Sequence, residues 1–187
     1  VERGKLRHYG VSVERVEEGL KAIEYPGVAS VQIIYNMFRL RPAELFFRQA
    51  QRRNVAVIAR VPLASGMLSG KFGRDTRFED SDHRQFNRHG AAFDVGETFS
   101  GVPYEAGLAA VEKLRPLVPE GATMAQLALR WILMDEAVTV VIPGARTAAQ
   151  ALGNIAAATL PALPQATLDA VAQVYDQDIR PHVHQRW

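Results

Sequence analysis

Val55-Ala56-Val57-Ile58-Ala59 is apolar at every position, the pattern of a parallel strand covered on both faces. Working outward from it, the chain repeats one order, strand then helix. Upstream, Val28 to Ile34 is a second apolar strand, and Leu6 to Val11 is a shorter one ending in Gly10-Val11-Ser12. Between those two, Val16, Leu20 and Ile23 recur at helical spacing through about Tyr25, where Pro26-Gly27 stops the helix. Pro42 suits the first position of a helix that turns Leu45, Phe46 and Ala50 toward a core.

Downstream, a long polar stretch runs over 66–103, rich in Gly, Asp, Arg and His. Stretches of this length inside a domain are usually functional or mobile. Tyr104 to Leu117 then reads as a helix. Thr123-Met124-Ala125-Gln126 is a capping box that opens another, with Leu127, Ala128, Trp131 and Ile132 on its buried face. Val138 to Ile142 is a fourth strand, broken by Pro143-Gly144; Thr147 caps the next helix, and Pro164 to about Tyr175 forms a last one.

This alternation predicts an α/β fold with a parallel sheet built from right-handed crossovers. A closed (β/α)8 TIM barrel takes eight such units and roughly 250 residues. The 187 residues therefore predict one domain, 1–187, that supplies half of a barrel plus a C-terminal helix. An open half-barrel would expose apolar strand ends and two unpaired sheet edges, so a preceding half or a second chain is expected to complete it.

Composition narrows the function. With 22 basic and 20 acidic residues and a net charge of +2, no Lys or Arg run accompanies the sequence pI near 9.1, so no nucleic-acid surface is expected. The absence of cysteine excludes disulfides and thiolate metal sites and suits a reducing cytoplasm. No apolar stretch approaches the roughly 18 to 20 residues of a membrane span. Val1-Glu2-Arg3-Gly4-Lys5 has neither a signal-peptide pattern nor an initiator Met, so residue 1 is not expected to be a native start. His182-Val183-His184 is expected in a mobile tail, and Asp80, Asp82, His83 and His89 as solvated charge in the polar stretch; no metal site is predicted from them.

Four segments carry a resemblance. They are His8-Tyr9-Gly10-Val11-Ser12; Val31-Gln32-Ile33-Ile34-Tyr35-Asn36; Ala59-Arg60-Val61-Pro62-Leu63-Ala64-Ser65-Gly66 running on to Leu68-Ser69-Gly70-Lys71; and Val141-Ile142-Pro143-Gly144-Ala145-Arg146-Thr147-Ala148-Ala149-Gln150 followed by Asn154. In this order they resemble the motifs of barrel strands five to eight of the aldo-keto reductases, and the resemblance spans nearly the whole chain, thinning after about Pro161. It implies the C-terminal half of an oxidoreductase barrel that binds NADP(H) and reduces an aldehyde or ketone.

By that resemblance, Ser12 and Gln32 would hydrogen-bond the nicotinamide carboxamide, which offers one acceptor and two donor hydrogens. Read without it, Ser12 caps the following helix and Gln32 fills a polar layer of the barrel. Arg60 stands where many members place an aromatic ring; its guanidinium plane can stack on the nicotinamide or form a salt bridge at the barrel mouth. Pro62, Leu63, Ser65 and Gly66 would shape the loop past the pyrophosphate, and Lys71 would meet the phosphates as a point charge.

Gly144 feeds a helix N-terminus, an anion site by its free N–H groups and dipole. Arg146 adds a permanent charge suited to the 2′-phosphate of NADP, and Gln150 and Asn154 follow along the same face toward the adenosine. Thr147-Ala148-Ala149-Gln150 also reads as a plain capping box. Gly153 replaces a Glu common in relatives, so one adenine contact is expected to be missing.

The resemblance places the catalytic Tyr, Lys, Asp and His on barrel strands two to four, so no catalytic residue is assigned here, Tyr9 included. Two other readings compete. One is a cofactor-sensing regulator of the same fold, as the β subunits of voltage-gated potassium channels are; the other is an unrelated phosphate-binding barrel. The substrate and the oligomeric state are not readable from the residues.

Overall fold

A computed structural model describes residues 1–187. Four strands, β1 (Tyr9–Ser12), β2 (Val28–Ile34), β3 (Ala56–Arg60) and β4 (Val138–Val141), form one sheet in the order β1-β2-β3-β4. Every neighbouring pair is parallel. β2 has the predicted limits. β3 lies one residue later than its apolar run, which draws Arg60 into the sheet opposite Ile34. β1 begins only at Tyr9, because the register slips between Tyr9 and Gly10 and Leu6 stands exposed.

The helices α1 (Val16–Ala22) and α2 (Phe46–Arg52) follow β1 and β2. α1 stops before Tyr25, since Glu24 and Tyr25 bond back only three residues, to Lys21 and Ala22. Pro42 sits inside a 3-10 turn over Arg41–Ala43, one turn ahead of α2. Between β3 and β4 lie α3 (His83–Phe86), α4 (Tyr104–Leu114) and α5 (Met124–Leu133); after β4 come α6 (Ala148–Ala156), α7 (Gln165–Val174) and α8 (Arg180–Val183). α4 gives way to a 3-10 turn at Arg115 rather than running to Leu117, because Pro116 has no N–H and its ring crowds the preceding turn. The Thr123 cap forms as read, with Thr123 Oγ1 accepting from Gln126 N–H at 3.2 Å and Gln126 Oε1 accepting from Thr123 N–H at 2.9 Å.

One hydrophobic cluster joins the sheet to the helices: Val31, Val57 and Ala59 meet Phe46, Leu127, Ala128 and Ile132, each with essentially no exposed surface. Phe99 and Val102 belong to the same cluster, so the polar stretch over 66–103 is anchored rather than free. Inside that stretch the fully buried Asn87 accepts from the N–H groups of Ala92 and Phe93 at 2.9 and 3.0 Å, and Asp82 caps α3.

The end of the chain corrects an expectation. A π-helical turn over Tyr175–Ile179 links α7 to α8, and in place of the expected loose tail Val183 is buried and His184 half-buried, with His182 exposed. The reason is a stripe at spacing four: Tyr175, Ile179, Val183 and Trp187 are 2%, 0%, 0% and 4% exposed, one buried face of a helical segment. His184 Nδ1 lies 2.9 Å from the Tyr175 hydroxyl. No helix is long and apolar enough to cross a membrane.

Candidate cofactor cleft

The carboxyl ends of the strands carry a cleft of about 1280 Å³. Pro62, Leu63, Ser65, Gly66 and Lys71 line one wall; Gly144, Arg146, Gln150 and Asn154 line the other, with Thr123 and Gln126 from the start of α5. The predicted segments after β3 and β4 are thus brought together across one space. Ser12, Gln32 and Arg60 are not among its lining residues. Ser12 and Gln32 are hydrogen-bonded to each other across β1 and β2, Gln32 Nε2 donating to Ser12 Oγ at 3.2 Å.

The first wall starts from Arg60, the last residue of β3. Its guanidinium bridges the carboxylates of Glu14 and Glu97, the salt-bridge arrangement rather than a free stacking plane. Beyond it the backbone enters the left-handed region at Val61, Ala64 and Ser65, with φ of 51°, 46° and 56°, a conformation L side chains seldom adopt without support. A second such stretch, Phe99 and Ser100 at φ 52° and 59°, lies against it.

Side chains tie the two together. Asn36 Nδ2 donates to Val61 O and to Ser100 Oγ, both at 2.8 Å. Ser65 Oγ donates to Glu97 O at 3.0 Å and accepts from Phe99 N–H at 3.1 Å. Gly66 has φ +95°, and a Cβ there would stand 2.9 Å from the Phe72 ring, so this position requires glycine.

The cluster around Arg60 is electrostatically unusual. Burial pushes Glu14 up to about 7, with the hydrogen bond to Glu97 adding to the rise and Arg60 opposing it. Burial also acts upward on Glu97, but hydrogen bonds from Glu14 and Arg60 and the charges of Arg60 and Arg39 hold it below the usual range. Arg39, 3% exposed, is lowered to about 10 by burial. Its two terminal nitrogens have no hydrogen-bond partner, and it stacks 4.0 Å from the Trp187 ring. Trp187 Nε1 in turn donates to Asp94 Oδ1 at 3.0 Å.

The second wall is exposed. Thr147 caps α6, its Oγ1 accepting from Gln150 N–H at 3.2 Å. The reciprocal half of the box does not form: Gln150 Oε1 accepts from Arg146 N–H at 2.7 Å, one residue before the cap. Asn154 Nδ2 donates to Gly144 O at 3.2 Å and so folds the Pro-Gly turn onto the helix. α6 has no buried residue. Neither Arg146 nor Lys71 takes part in any of the chain's ion pairs.

Among the cleft residues outside the predicted site set are four charged ones: Glu14, Asp94 and Glu97, and Arg84, which Asp82 holds and whose guanidinium lies 4.6 Å from the Phe78 ring. Glu14 had one local signal, an acidic residue two positions past a strand end. His83, expected as solvated charge, also lines the cleft, its Nδ1 3.2 Å from Thr98 Oγ1. Tyr9 points away, its hydroxyl donating to Pro26 O at 3.0 Å. No three His, Asp or Glu side chains converge as a metal would need.

The profile of the Aldo/keto reductase family matches residues 1–176. The chain is similar to L-glyceraldehyde 3-phosphate reductase of Escherichia coli, 30% identical over 84% of this chain and 46% of that protein. It is also similar to a probable voltage-gated potassium channel subunit beta of Arabidopsis thaliana, 28% identical over 93% of this chain and 54% of that one. Among solved structures it superposes on the glycerol dehydrogenase of Gluconobacter oxydans with a TM-score of 0.73 and 25% identity, covering 95% of this chain and 51% of that chain. The chain thus spans about half the length of the curated relatives it matches.

Proposed function

Because this chain belongs to the aldo/keto reductase family, we propose that it forms the cofactor-binding half of a (β/α)8 barrel that reduces an aldehyde or ketone with NADPH. One observation carries the reading: across a single cleft of about 1280 Å³, Lys71 and Arg146 are cations that no carboxylate of the chain neutralises. Small-ligand pockets are usually about 300–1,000 Å³, so the space suits an extended dinucleotide. Its basic groups suit phosphates.

When bound, the nicotinamide supplies the hydride that reduces the carbonyl carbon. The chain's own residues bind and orient. Ser12 and Gln32, already paired, present a hydroxyl and an amide to the carboxamide. The loop from Pro62 to Gly66, held in its left-handed form by Asn36 and Ser65, keeps its shape before a ligand arrives, which spares the ordering cost of binding. Lys71 meets the pyrophosphate. The α6 N-terminus and Arg146 take the 2′-phosphate, and Gln150 and Asn154 border the adenosine.

The proton donor to the carbonyl oxygen and its partners come from the remaining barrel strands, supplied by a longer chain or a second one, in a reducing cytoplasm. Similarity to the potassium channel subunit supports a second reading, a cofactor-sensing regulator. Carbonyl-dependent oxidation of NADPH by the completed barrel separates the two: turnover favours the enzyme, and tight binding without turnover favours the regulator.

The test of the cofactor assignment is titration of Arg146→Ala with NADPH and NADH. A charge-assisted phosphate contact is worth about 1.5–3 kcal/mol, so NADPH should weaken roughly 10- to 100-fold and NADH by much less. Equal loss for both would remove Arg146 from the 2′-phosphate.

A further inference from the structure

Glu14 lies two residues past the end of β1 and lines the cleft, paired with Arg60. One carboxylate oxygen is held by Arg60; the other, Oε2, is buried and no donor group reaches it. The groups facing it come from several elements. Arg60 projects from β3, Glu97 from the 3-10 turn Val95–Glu97, and Arg39 from the segment after β2, with Asp94 and Trp187 behind Arg39. On its own side, Glu18 of α1 accepts from the Glu14 backbone N–H at 2.9 Å. Arg60 and Arg39 thus stand against Glu14 and Glu97, with the exposed Asp94 behind Arg39, and gain or loss of the Glu14 proton changes the charge of the group by one.

Resting on the cofactor reading above, we propose that Glu14 sets the preference of this cleft between the oxidised and the reduced nicotinamide. The two forms differ at the ring alone: the oxidised ring is a cation and the reduced ring is neutral. An ionised Glu14 makes the cluster one charge more negative than a protonated one, and so favours the cation over the neutral ring. The buried Oε2 fits this role, because no donor in the chain bonds to it.

Burial places the titration near neutrality, at about 7. The sign follows. Below that value Glu14 holds its proton and the two forms bind alike as far as this group is concerned. Above it the oxidised form gains. The ratio of dissociation constants, NADP+ over NADPH, therefore falls as pH rises through about 7. The 2′-phosphate and adenine also titrate, but identically in both forms, so they cancel from the ratio. By linkage, NADP+ binding must expel a fraction of a proton from Glu14, whereas NADPH binding must not.

The test is a pair of titrations of the protein with NADP+ and NADPH, from one unit below to one unit above about 7. Coupling worth one pKa unit changes the ratio by roughly tenfold across the transition. Calorimetry in buffers of different ionisation enthalpy reads the proton release on the unsubstituted protein, independent of any variant. Glu14→Gln should flatten the ratio at its acid-side value and abolish the release. If both cofactors bind with a pH-independent ratio and no differential proton release, the inference is wrong and the cofactor reading stands. A slope that survives in Glu14→Gln overturns the inference in the same way. If neither cofactor binds at any pH, the cofactor reading fails and takes this inference with it.

Discussion

Along the wall made by Val61 to Gly66 and Asp94 to Ser100, polar groups are spent on one another; along the wall made by Ile142 to Asn154, the guanidinium of Arg146 remains available. The first holds two left-handed stretches against each other through Asn36 and Ser65, with Asn36, Phe99 and Ser100 at most 1% exposed. The second rides on a helix without a buried residue and carries Arg146 with no counter-ion. Binding energy depends on the difference. A wall satisfied internally can shape a ligand site without rearranging, and a wall with unused donors can recognise charge. Substitutions in the first should therefore register as stability, and substitutions in the second as affinity.

The largest effect tests the outermost support of the first wall. Trp187 is 4% exposed, stacks on Arg39 and donates to Asp94. Trp187→Ala should cost about 3–5 kcal/mol by denaturant unfolding, since it opens a cavity and strips a buried guanidinium of its ring. A loss below about 1 kcal/mol would mean that the polar stretch and the end of the chain are not one unit.

Next comes the clasp itself. Asn36→Ala removes the partners of Val61 O, Ser100 Oγ and Phe38 N–H, each bonded at 2.8 Å. Leaving buried polar groups unpaired costs about 1–3 kcal/mol each, with less than full additivity, so roughly 2–4 kcal/mol is expected. NADPH and NADH should weaken together, because the loop meets what both share. A selective loss of NADPH would blur the distinction between the walls.

These effects bear on what the residues alone could disclose. β2 was legible in full because Pro26-Gly27 precedes an unbroken apolar run, and both threonine caps were legible because capping is local. The second wall was legible for the same reason: Arg146, Gln150 and Asn154 lie at helical spacing behind a Pro-Gly turn. Of the first wall only the loop Pro62 to Gly66 was legible, and the bonds that hold it were not. Its bonds join Asn36 to Ser100, Arg60 to Glu97 and Trp187 to Asp94, partners 64, 37 and 93 residues apart. No periodicity announces such a pairing, and Glu14 looks like any acidic residue opening a helix until the sheet carries Arg60 to it. The buried stripe Tyr175, Ile179, Val183, Trp187 is the exception, visible as a spacing of four but easily lost among the charged residues between.

The smallest effect compares two threonines of one chemistry. Thr123 caps α5, whose Leu127, Ala128 and Ile132 are fully buried, and Thr147 caps α6, which buries nothing. An N-cap is worth about 1 kcal/mol to its helix, but a helix transmits that to global stability only through what it packs. Thr123→Ala should therefore lower unfolding free energy by about 1 kcal/mol. Thr147→Ala should lower it by only a few tenths of a kcal/mol, because α6 can fray while the core stays intact. Its cost should surface instead as faster amide exchange at Ala149 to Ala151 and as weaker NADPH binding, since a frayed first turn no longer aims its N–H groups at the phosphate. Equal losses of global stability would mean that α6 is held as firmly as α5, and the available donors of the second wall would then owe nothing to a loosely tethered helix.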